Sequence, residues 1–250
     1  MITIKIPAEI EIMAEGGKVL AKIMKKVEGK ARPGIKTKEL NELFEELVLK
    51  FRTKPSFKGQ EGFPASLCTC VNEEIVHCVP SERILKEGDI LSLDGGILWK
   101  GFHLDMAITI GVGEISFQAK RLIRVTRKAL KMALKKVRPG NKIGDISNAI
   151  QRYVEYQGFH VIPELTGHGI GRKLHEEPEI LNFGKKNTGP ELKEGMVICI
   201  EPMASVGDWR IKKTKDSFGY QTTDNSLSAH FEHTIAVVKD GYKILTELEK

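Results

Sequence analysis

Four acidic side chains lie in or at the end of apolar, strand-like segments, where carboxylates could hold metal ions. Asp94 and Glu201 each end such a segment, and Asp105 and Glu232 lie within the apolar segment that follows. A carboxylate in a buried strand is destabilising unless it is paired or bound to a metal. The same segments contain no lysine or arginine. A cluster of these like charges therefore needs a cation, which a pair of divalent metal ions would supply; the alternative is a structural ion-pair network.

Three histidines are candidates for the remaining chemistry. His168 stands among glycines, which would allow the backbone to approach a ligand closely. For His77 and His175, a surface or turn position is an equal alternative. Oxygen donors with one imidazole suit a bridged pair of Mn, Fe, Co or Zn ions, which can activate a water and polarise a carbonyl. These residues predict a two-metal hydrolase that cuts an amide bond. The predicted ligands are Asp94, Asp105, His168, Glu201 and Glu232.

An internal duplication indicates how the chain positions these residues. The segment 32–34, Arg-Pro-Gly, recurs at 138–140, and each copy is followed by a helical pattern, at 40–51 and 143–156. Pro and Gly end a helix and turn the chain. Each half is therefore predicted to open with a helix, a turn and a second helix.

The duplication continues into strands that carry the acids. Residues 86–94 and 193–201 both combine a Lys-Glu-Gly turn with a short apolar run that ends in a carboxylate. Strand candidates follow at 103–112 and 228–238, so each half supplies two acids, whereas His168 has no counterpart. We expect an α+β protein of two halves related by a pseudo-twofold axis, with helices packed on one face of a curved antiparallel sheet.

Length and composition bound the class of protein. The chain has 250 residues, of which 41% are apolar and 29% charged, as in ordinary soluble proteins. No linker marks an internal boundary, so residues 1–250 are expected to form one domain, with the polar segment 208–225 as an excursion near the site. Neither a signal peptide nor a membrane span is predicted. The four cysteines are expected to be reduced, in a cytoplasmic protein.

The net charge of +6 is concentrated in two segments, 18–32 and 120–138. The simpler interpretation is two solvated faces of amphipathic helices. The alternative is an electrostatic surface for a polyanion such as RNA. No nucleic-acid recognition motif accompanies the charge, and we expect no DNA partner.

The order and spacing of these residues resemble those of type I methionine aminopeptidases, in their short form, over essentially the whole chain. The segments that carry the resemblance are 72–80, 88–94, 101–107, 167–178, 200–203 and 226–234. The resemblance implies a pita-bread fold. It also implies a metal-dependent aminopeptidase that removes the initiator methionine of nascent proteins with a water activated by two metal ions.

The resemblance assigns a role to each predicted ligand. Asp94 would chelate one metal ion, and Asp105 and Glu232 would bridge both ions. His168 and Glu201 would complete the second site. Glu201 would also handle the proton of the attacking water.

Substrate contacts follow from the same resemblance. His175 would stabilise the developing oxyanion, and His77 would contact the substrate near the scissile nitrogen. The methionine side chain would occupy a small apolar pocket. The matching positions are Phe57, Gln60, Phe63, Cys68, Leu174 and Phe218. Tyrosines are common at the second and third of these positions and tryptophan at the last, but the pocket remains apolar.

The implied partners are the N-termini of nascent polypeptides, and the basic helices would suit the RNA surface of a ribosome. We expect a monomer. Two other functions compete with this one. A proline-specific aminopeptidase or dipeptidase of the same fold would usually carry a large additional N-terminal domain. A binding module of this fold would have lost the metal ligands, which are all present here.

Overall fold

The computed structural model describes residues 1–248 and contains helices at the predicted places. Their bounds are α1 (Pro7–Lys30), α2 (Thr37–Lys50), α3 (Phe117–Leu134) and α4 (Ile143–Tyr156). Helices α2 and α4 each have a carboxylate in the first turn that caps the N-terminal end of the helix. The backbone N–H of Lys36 donates to Glu39 at 2.9 Å, and that of Lys142 donates to Asp145 at 2.9 Å.

Short antiparallel strands make up the rest of the regular structure. They are β1 (Lys54–Pro55), β2 (Leu67–Val71), β3 (Glu74–Val76), β4 (Ile90–Trp99), β5 (Phe102–Gly111), β6 (His160–Val161), β7 (Thr166–Gly169), β8 (Glu176–Leu181), β9 (Val197–Ile200), β10 (Met203–Ser205), β11 (Ile211–Lys213), β12 (Tyr220–Thr222), β13 (Ser228–His230), β14 (His233–Val238) and β15 (Gly241–Ile244). One sheet joins β1, β4, β2 and β5, and another has the order β15-β14-β9-β7-β8. Smaller sheets join β13-β10-β6 and β11-β12-β3.

Backbone hydrogen bonds confirm the duplication. The Gly34 N–H donates to the Leu85 carbonyl at 2.8 Å, and the Gly140 N–H donates to the Leu192 carbonyl at 3.0 Å. The first bond ties the turn between α1 and α2 to the residues before β4, and the second ties the turn between α3 and α4 to the residues before β9. The same local pairing in both halves is what two copies of one unit require.

The two halves meet along β5 and the residues before β14. Glu232 N–H donates to the Ala107 carbonyl at 2.9 Å. The Thr234 hydroxyl donates to the Asp105 carbonyl at 2.8 Å and lies 3.0 Å from the Asp105 nitrogen, whose N–H it accepts. The acids of the two halves therefore come together at this seam, and the helices cover the sheets.

One strand prediction was wrong in part. The sequence predicts one strand over 228–238, whereas the structure has β13 and β14 separated by Phe231 and Glu232. β13 pairs with β10, and β14 pairs with β9 and β15. Because the chain changes sheets at this break, Glu232 leaves the regular ladder.

The apolar faces of the helices form two clusters, one in each half. Helix α1 buries residues at helical spacing, which are Met13, Leu20, Met24 and Val27. Helix α3 does the same in the second half with Leu122, Val125, Ala129 and Ala133. Each cluster includes side chains of its own helices, and the first also includes side chains of the second half such as Leu245, so the two halves share part of their core.

Gly17 sets how closely α1 packs against the C-terminal segment. A Cβ at this position would overlap the backbone carbonyl of Leu245. We expect Gly17→Ala to lower the free energy of unfolding by about 1–3 kcal/mol, because a rigid backbone atom must move. Urea denaturation checks this result.

The matched control is Gly29→Ala, in the last turn of the same helix, where a Cβ would meet nothing within 4 Å. Alanine is the better helix former, so this change should leave the protein unchanged or stabilise it by up to about 1 kcal/mol. Equal effects of both changes on stability would contradict this account of Gly17.

Candidate metal centre

Antiparallel pairing places the two acids of the first half beside each other. Asp94 on β4 is opposite Ala107 on β5, and Asp105 is opposite Gly96. Asp94 is also opposite Cys68 on β2. Asp94 and Asp105 are 6% and 4% exposed, so both carboxylates are removed from solvent.

The second half adds two acids at the ends of its strands. Glu201 follows β9, and Glu232 precedes β14. His233 pairs with Ile200 across these strands, so the two glutamates extend from the same end of one ladder. Glu232 is 2% exposed, and the Glu201 side chain is 11% exposed.

These carboxylates have strongly perturbed pKa values because of their shared burial. Burial, followed by the charge of Asp105, raises the pKa of Asp94, Glu201 and Glu232 well above the usual range. Burial raises the pKa of Asp105 to about 7. Four acids in this state destabilise the protein at neutral pH unless a cation neutralises them.

The carboxylate oxygens of this group suit metal ions because several of them have no other partner. Within residues 1–248, Oδ1 of Asp94, Oδ1 of Asp105 and Oε1 of Glu232 are buried without a hydrogen-bond partner. Glu232 is common to three groups whose possible ligand atoms lie within 4.8 Å of one another. These groups are Asp94–Asp105–Glu232, Glu201–His230–Glu232 and His168–Cys199–Glu232. All five predicted ligands are thus brought to one place.

His168 on β7 is oriented as a metal ligand would be. Its Nδ1 lies 2.9 Å from the Gly169 carbonyl, so Nδ1 carries the proton and Nε2 keeps its lone pair. Nε2 lies 3.7 Å from Oε1 of Glu201. Burial lowers the pKa of His168 to about 4, so the ring is neutral at pH 7.

The glycines around His168 allow close packing between strands rather than access for a ligand. A Cβ at Gly167 would overlap the Cys199 carbonyl on β9, and one at Gly169 would overlap the Glu177 carbonyl on β8. The sequence predicts that these glycines give a ligand access to the site. The structure shows that they let β7 lie close to both neighbouring strands.

The register of the paired strands also identifies a counterpart of His168 in the first half, which the sequence pattern did not reveal. His168 pairs with Cys199, two residues before Glu201. In the first half, Cys70 pairs with Ser92, two residues before Asp94. The duplication therefore puts Cys70 in the place of the imidazole, and the two halves offer unequal donor sets.

Two further histidines lie at the solvent side of the centre. His175 is exposed, and its ring packs edge-on to that of His168 with 4.6 Å between centroids. His77 is also exposed; it follows β3 with a φ of 59°. Its ring centroid lies 6.3 Å from that of Tyr220 on β12. The structure therefore leaves both histidines accessible to a bound molecule.

The predicted pocket residues are mostly in one apolar cluster. The buried members are Phe57, Phe63, Cys68 and Leu174. Phe218 packs against this cluster, with its ring edge-on to Phe63 at 5.7 Å. Gln60 differs, because it lies exposed in a short 3-10 turn, Gln60–Gly62. The segment 208–225 approaches this region, since its strand β12 pairs with β3.

Sequence reasoning missed His230. It is buried on β13, and its Nε2 lies 3.3 Å from Oε2 of Glu201 and 4.0 Å from Oε2 of Glu232. Burial lowers the pKa of His230 to about 3, so it is neutral at pH 7. Its place two residues before Glu232 was the available signal, because alternate residues of a strand share a face.

Comparison with known proteins defines the class. The model of metallopeptidase family M24 matches residues 11–239. The chain belongs to this family, and it is therefore a hydrolase that uses a divalent metal ion. Within residues 1–248, the structure contains no helix long and apolar enough to cross a membrane.

Similar proteins narrow the relationship to methionine aminopeptidases, which confirms the resemblance and the pita-bread fold. The chain is 47% identical to the methionine aminopeptidase of Clostridium perfringens, over 98% of this chain and 99% of that protein. The methionine aminopeptidase structure from Thermotoga maritima has a TM-score of 0.97 and 44% identity, with 99% and 100% of the two chains covered. The prolidase from Pyrococcus horikoshii has a TM-score of 0.77 at 23% identity, which shows the fold alone; 64% of its chain is covered.

The raised pKa values predict how metal-free protein responds to pH. Above about pH 7.5 the histidines are neutral in both states, whereas the buried acids keep protons that the unfolded chain has lost. The folded state binds more protons, so the free energy of unfolding should fall between about pH 7.5 and 8.5, by about 1 kcal/mol or more. Urea denaturation of chelator-treated protein measures this change.

Asp105→Asn is the control for this pH effect, because asparagine does not titrate and removes one like charge beside Asp94. The variant should show a weaker dependence between the two pH values. In the wild-type protein, excess Mn²⁺ should restore the stability that is lost at pH 8, since metal binding favours ionised ligands. A metal-free stability that rises over this range would refute the electrostatic account.

Proposed function

We propose that the protein removes the N-terminal methionine of polypeptides with a water activated by two divalent metal ions. Full-length similarity to methionine aminopeptidases supports this substrate. The observation that carries the mechanism is the buried group of carboxylates with unpaired oxygens, next to exposed histidines and an apolar cluster. Such a site can hold a cation pair, a substrate backbone and an apolar side chain together.

We assign the metal ligands as follows. Asp94 would bind one ion, and His168 and Glu201 would bind the other. Asp105 and Glu232 would bridge the ions, which their unpaired oxygens and the shared position of Glu232 support. Co, Mn, Fe and Zn all suit this donor set. When bound, such ions lower the pKa of a water and polarise the scissile carbonyl.

The protein groups would supply the remaining steps. Glu201 would take the proton of the attacking water, because its carboxylate lies among the other assigned ligands, with Oε1 3.7 Å from Nε2 of His168. His175, next to His168, would donate a hydrogen bond to the oxyanion that develops on the carbonyl. His77 would position the substrate near the scissile nitrogen.

The apolar cluster would hold the methionine side chain. Phe57, Phe63 and Leu174 would line the pocket with Phe218, and Cys68 would lie beside Asp94. Thioethers make favourable contacts with aromatic edges, which suits the three phenylalanines. The exposed Gln60 would contact the peptide at the rim.

We also propose where the protein acts and on which chains. The natural substrates would be nascent chains in the cytoplasm, acted on by a monomer whose residues 1–250 form one catalytic domain. Basic side chains on α3 would suit a ribosomal surface. Lys120, Arg124, Arg127, Lys128 and Lys131 line one shallow groove there, in support of that contact.

Peptide release tests the substrate. The Mn²⁺- or Co²⁺-loaded protein should release methionine from Met-Ala-Ser and should leave Ala-Pro-Ser uncut. Amino-acid analysis of the products measures both reactions. Cleavage of the Xaa-Pro peptide alone would make the protein a proline-specific peptidase, and loss of both reactions with no metal bound would favour a binding module.

His175→Ala tests the oxyanion role. We expect kcat for Met-Ala-Ser to fall by about 10²–10³, the usual cost of a lost oxyanion donor. Metal content, measured by elemental analysis, should stay near that of the wild type because His175 is not an assigned ligand. Glu232→Gln should instead lower the metal content.

The matched control is His160→Ala, which removes an exposed histidine on β6. Its kcat and metal content should equal those of the wild type. If His175→Ala kept wild-type kcat, the assigned role of His175 would be wrong.

A further inference from the structure

His230 is a buried histidine whose backbone is held firmly in place. It ends β13, where it pairs with Met203 on β10, and it is 1% exposed. Its N–H donates to the Thr109 hydroxyl at 2.8 Å, and that hydroxyl donates to the His230 carbonyl at 2.7 Å. The Thr109 hydroxyl oxygen also lies 2.8 Å from the Ser92 hydroxyl oxygen. The ring is therefore presented from a fixed backbone.

The ring points at the carboxylates of the second half. Nε2 lies 3.3 Å from Oε2 of Glu201 and 4.0 Å from Oε2 of Glu232. Within residues 1–248, neither ring nitrogen of His230 has a hydrogen-bond partner. A buried polar ring without partners is destabilising, so its retention points to a role at the centre.

His168 and His230 flank Glu201 on opposite carboxylate oxygens. Oε1 of Glu201 faces Nε2 of His168 at 3.7 Å, and Oε2 faces Nε2 of His230 at 3.3 Å. If Oε1 faces a metal ion together with His168, Oε2 is left as a buried acceptor. His230 is the neighbour that can donate to it.

The surroundings of Nδ1 distinguish a histidine that donates a hydrogen bond through Nε2 from a histidine that binds a metal ion through Nε2. A ligating histidine donates its other N–H to an acceptor, which fixes the tautomer. His168 has that acceptor in the Gly169 carbonyl at 2.9 Å. Nδ1 of His230 has none among the described residues. Nothing therefore holds a proton on Nδ1, and the two carboxylates favour the proton on Nε2.

We propose that His230 is a positioning residue: in the metal-loaded protein its Nε2–H donates to Oε2 of Glu201, which lies 3.3 Å away, and fixes the carboxylate that binds the second metal ion and accepts the proton of the attacking water. This inference rests on the proposed function of the centre. It adds a residue that neither binds metal nor touches substrate. His230 acts through Glu201 alone.

Two substitutions test the hydrogen bond. His230→Leu removes the donor, whereas His230→Gln keeps an N–H near the position of Nε2. We expect the leucine variant to bind the second Co²⁺ ion about 10–100-fold more weakly in calorimetric titration, the usual effect of losing an outer partner of a ligand. Its kcat for Met-Ala-Ser should fall by a similar factor, with KM nearly unchanged. The glutamine variant should recover most of both losses.

His160→Gln, the same change at an exposed histidine on β6, is the matched control. Its Co²⁺ affinity and kcat should equal those of the wild type. Circular dichroism shows whether each variant is folded.

The tautomers give a test that needs no variant. In the Zn²⁺-loaded wild-type protein, ¹⁵N–¹H NMR of the imidazoles should show His168 protonated at Nδ1 with metal on Nε2, and His230 protonated at Nε2. A metal-shifted Nε2 on His230 would make it a ligand and overturn the proposal. So would a folded leucine variant with wild-type Co²⁺ affinity and kcat.

The outcomes also separate this inference from the proposed function. Wild-type protein that binds two ions and releases methionine, with an unchanged leucine variant, refutes the role of His230 alone. Wild-type protein that binds no metal or cuts no Met-Ala-Ser refutes both.

Discussion

The repulsion among four buried carboxylates is the constraint on which the rest of the structure depends. Asp94, Asp105, Glu201 and Glu232 share one poorly solvated space, and this burial raises the pKa of each carboxyl. No fold tolerates this arrangement for stability alone. The strands and helices around it are explained as a rigid frame that holds these oxygens together until a cation offsets their charge.

Duplication is the means by which the chain builds this frame. The first half supplies Asp94 within β4 and Asp105 within β5, and the second half supplies Glu201 after β9 and Glu232 before β14. The ladders meet where Glu232 and Ala107 exchange backbone hydrogen bonds. One apolar cluster also takes in side chains of the second half, such as Leu174 and Cys199, so packing as well as hydrogen bonding joins the halves.

Departures from the pseudo-symmetry determine the chemistry of the centre. A histidine at 168 and a cysteine at 70 occupy matching register positions, so an imidazole in the second half corresponds to a thiol in the first. The second half also holds His230 beside Glu201. Two similar halves thus create a site with two unequal environments. Such inequality suits a centre in which one carboxylate binds metal and also exchanges a proton.

The sequence by itself determined the residue types and the repeat. From these alone, the four helices and the meeting of the four acids could be predicted, because local patterns and like charges in apolar runs are visible in one dimension. The break between β13 and β14, the strand-packing role of Gly167 and Gly169, and the approach of His230 to Glu201 could not. Each depends on which strand lies next to which, and only the tertiary structure decides that.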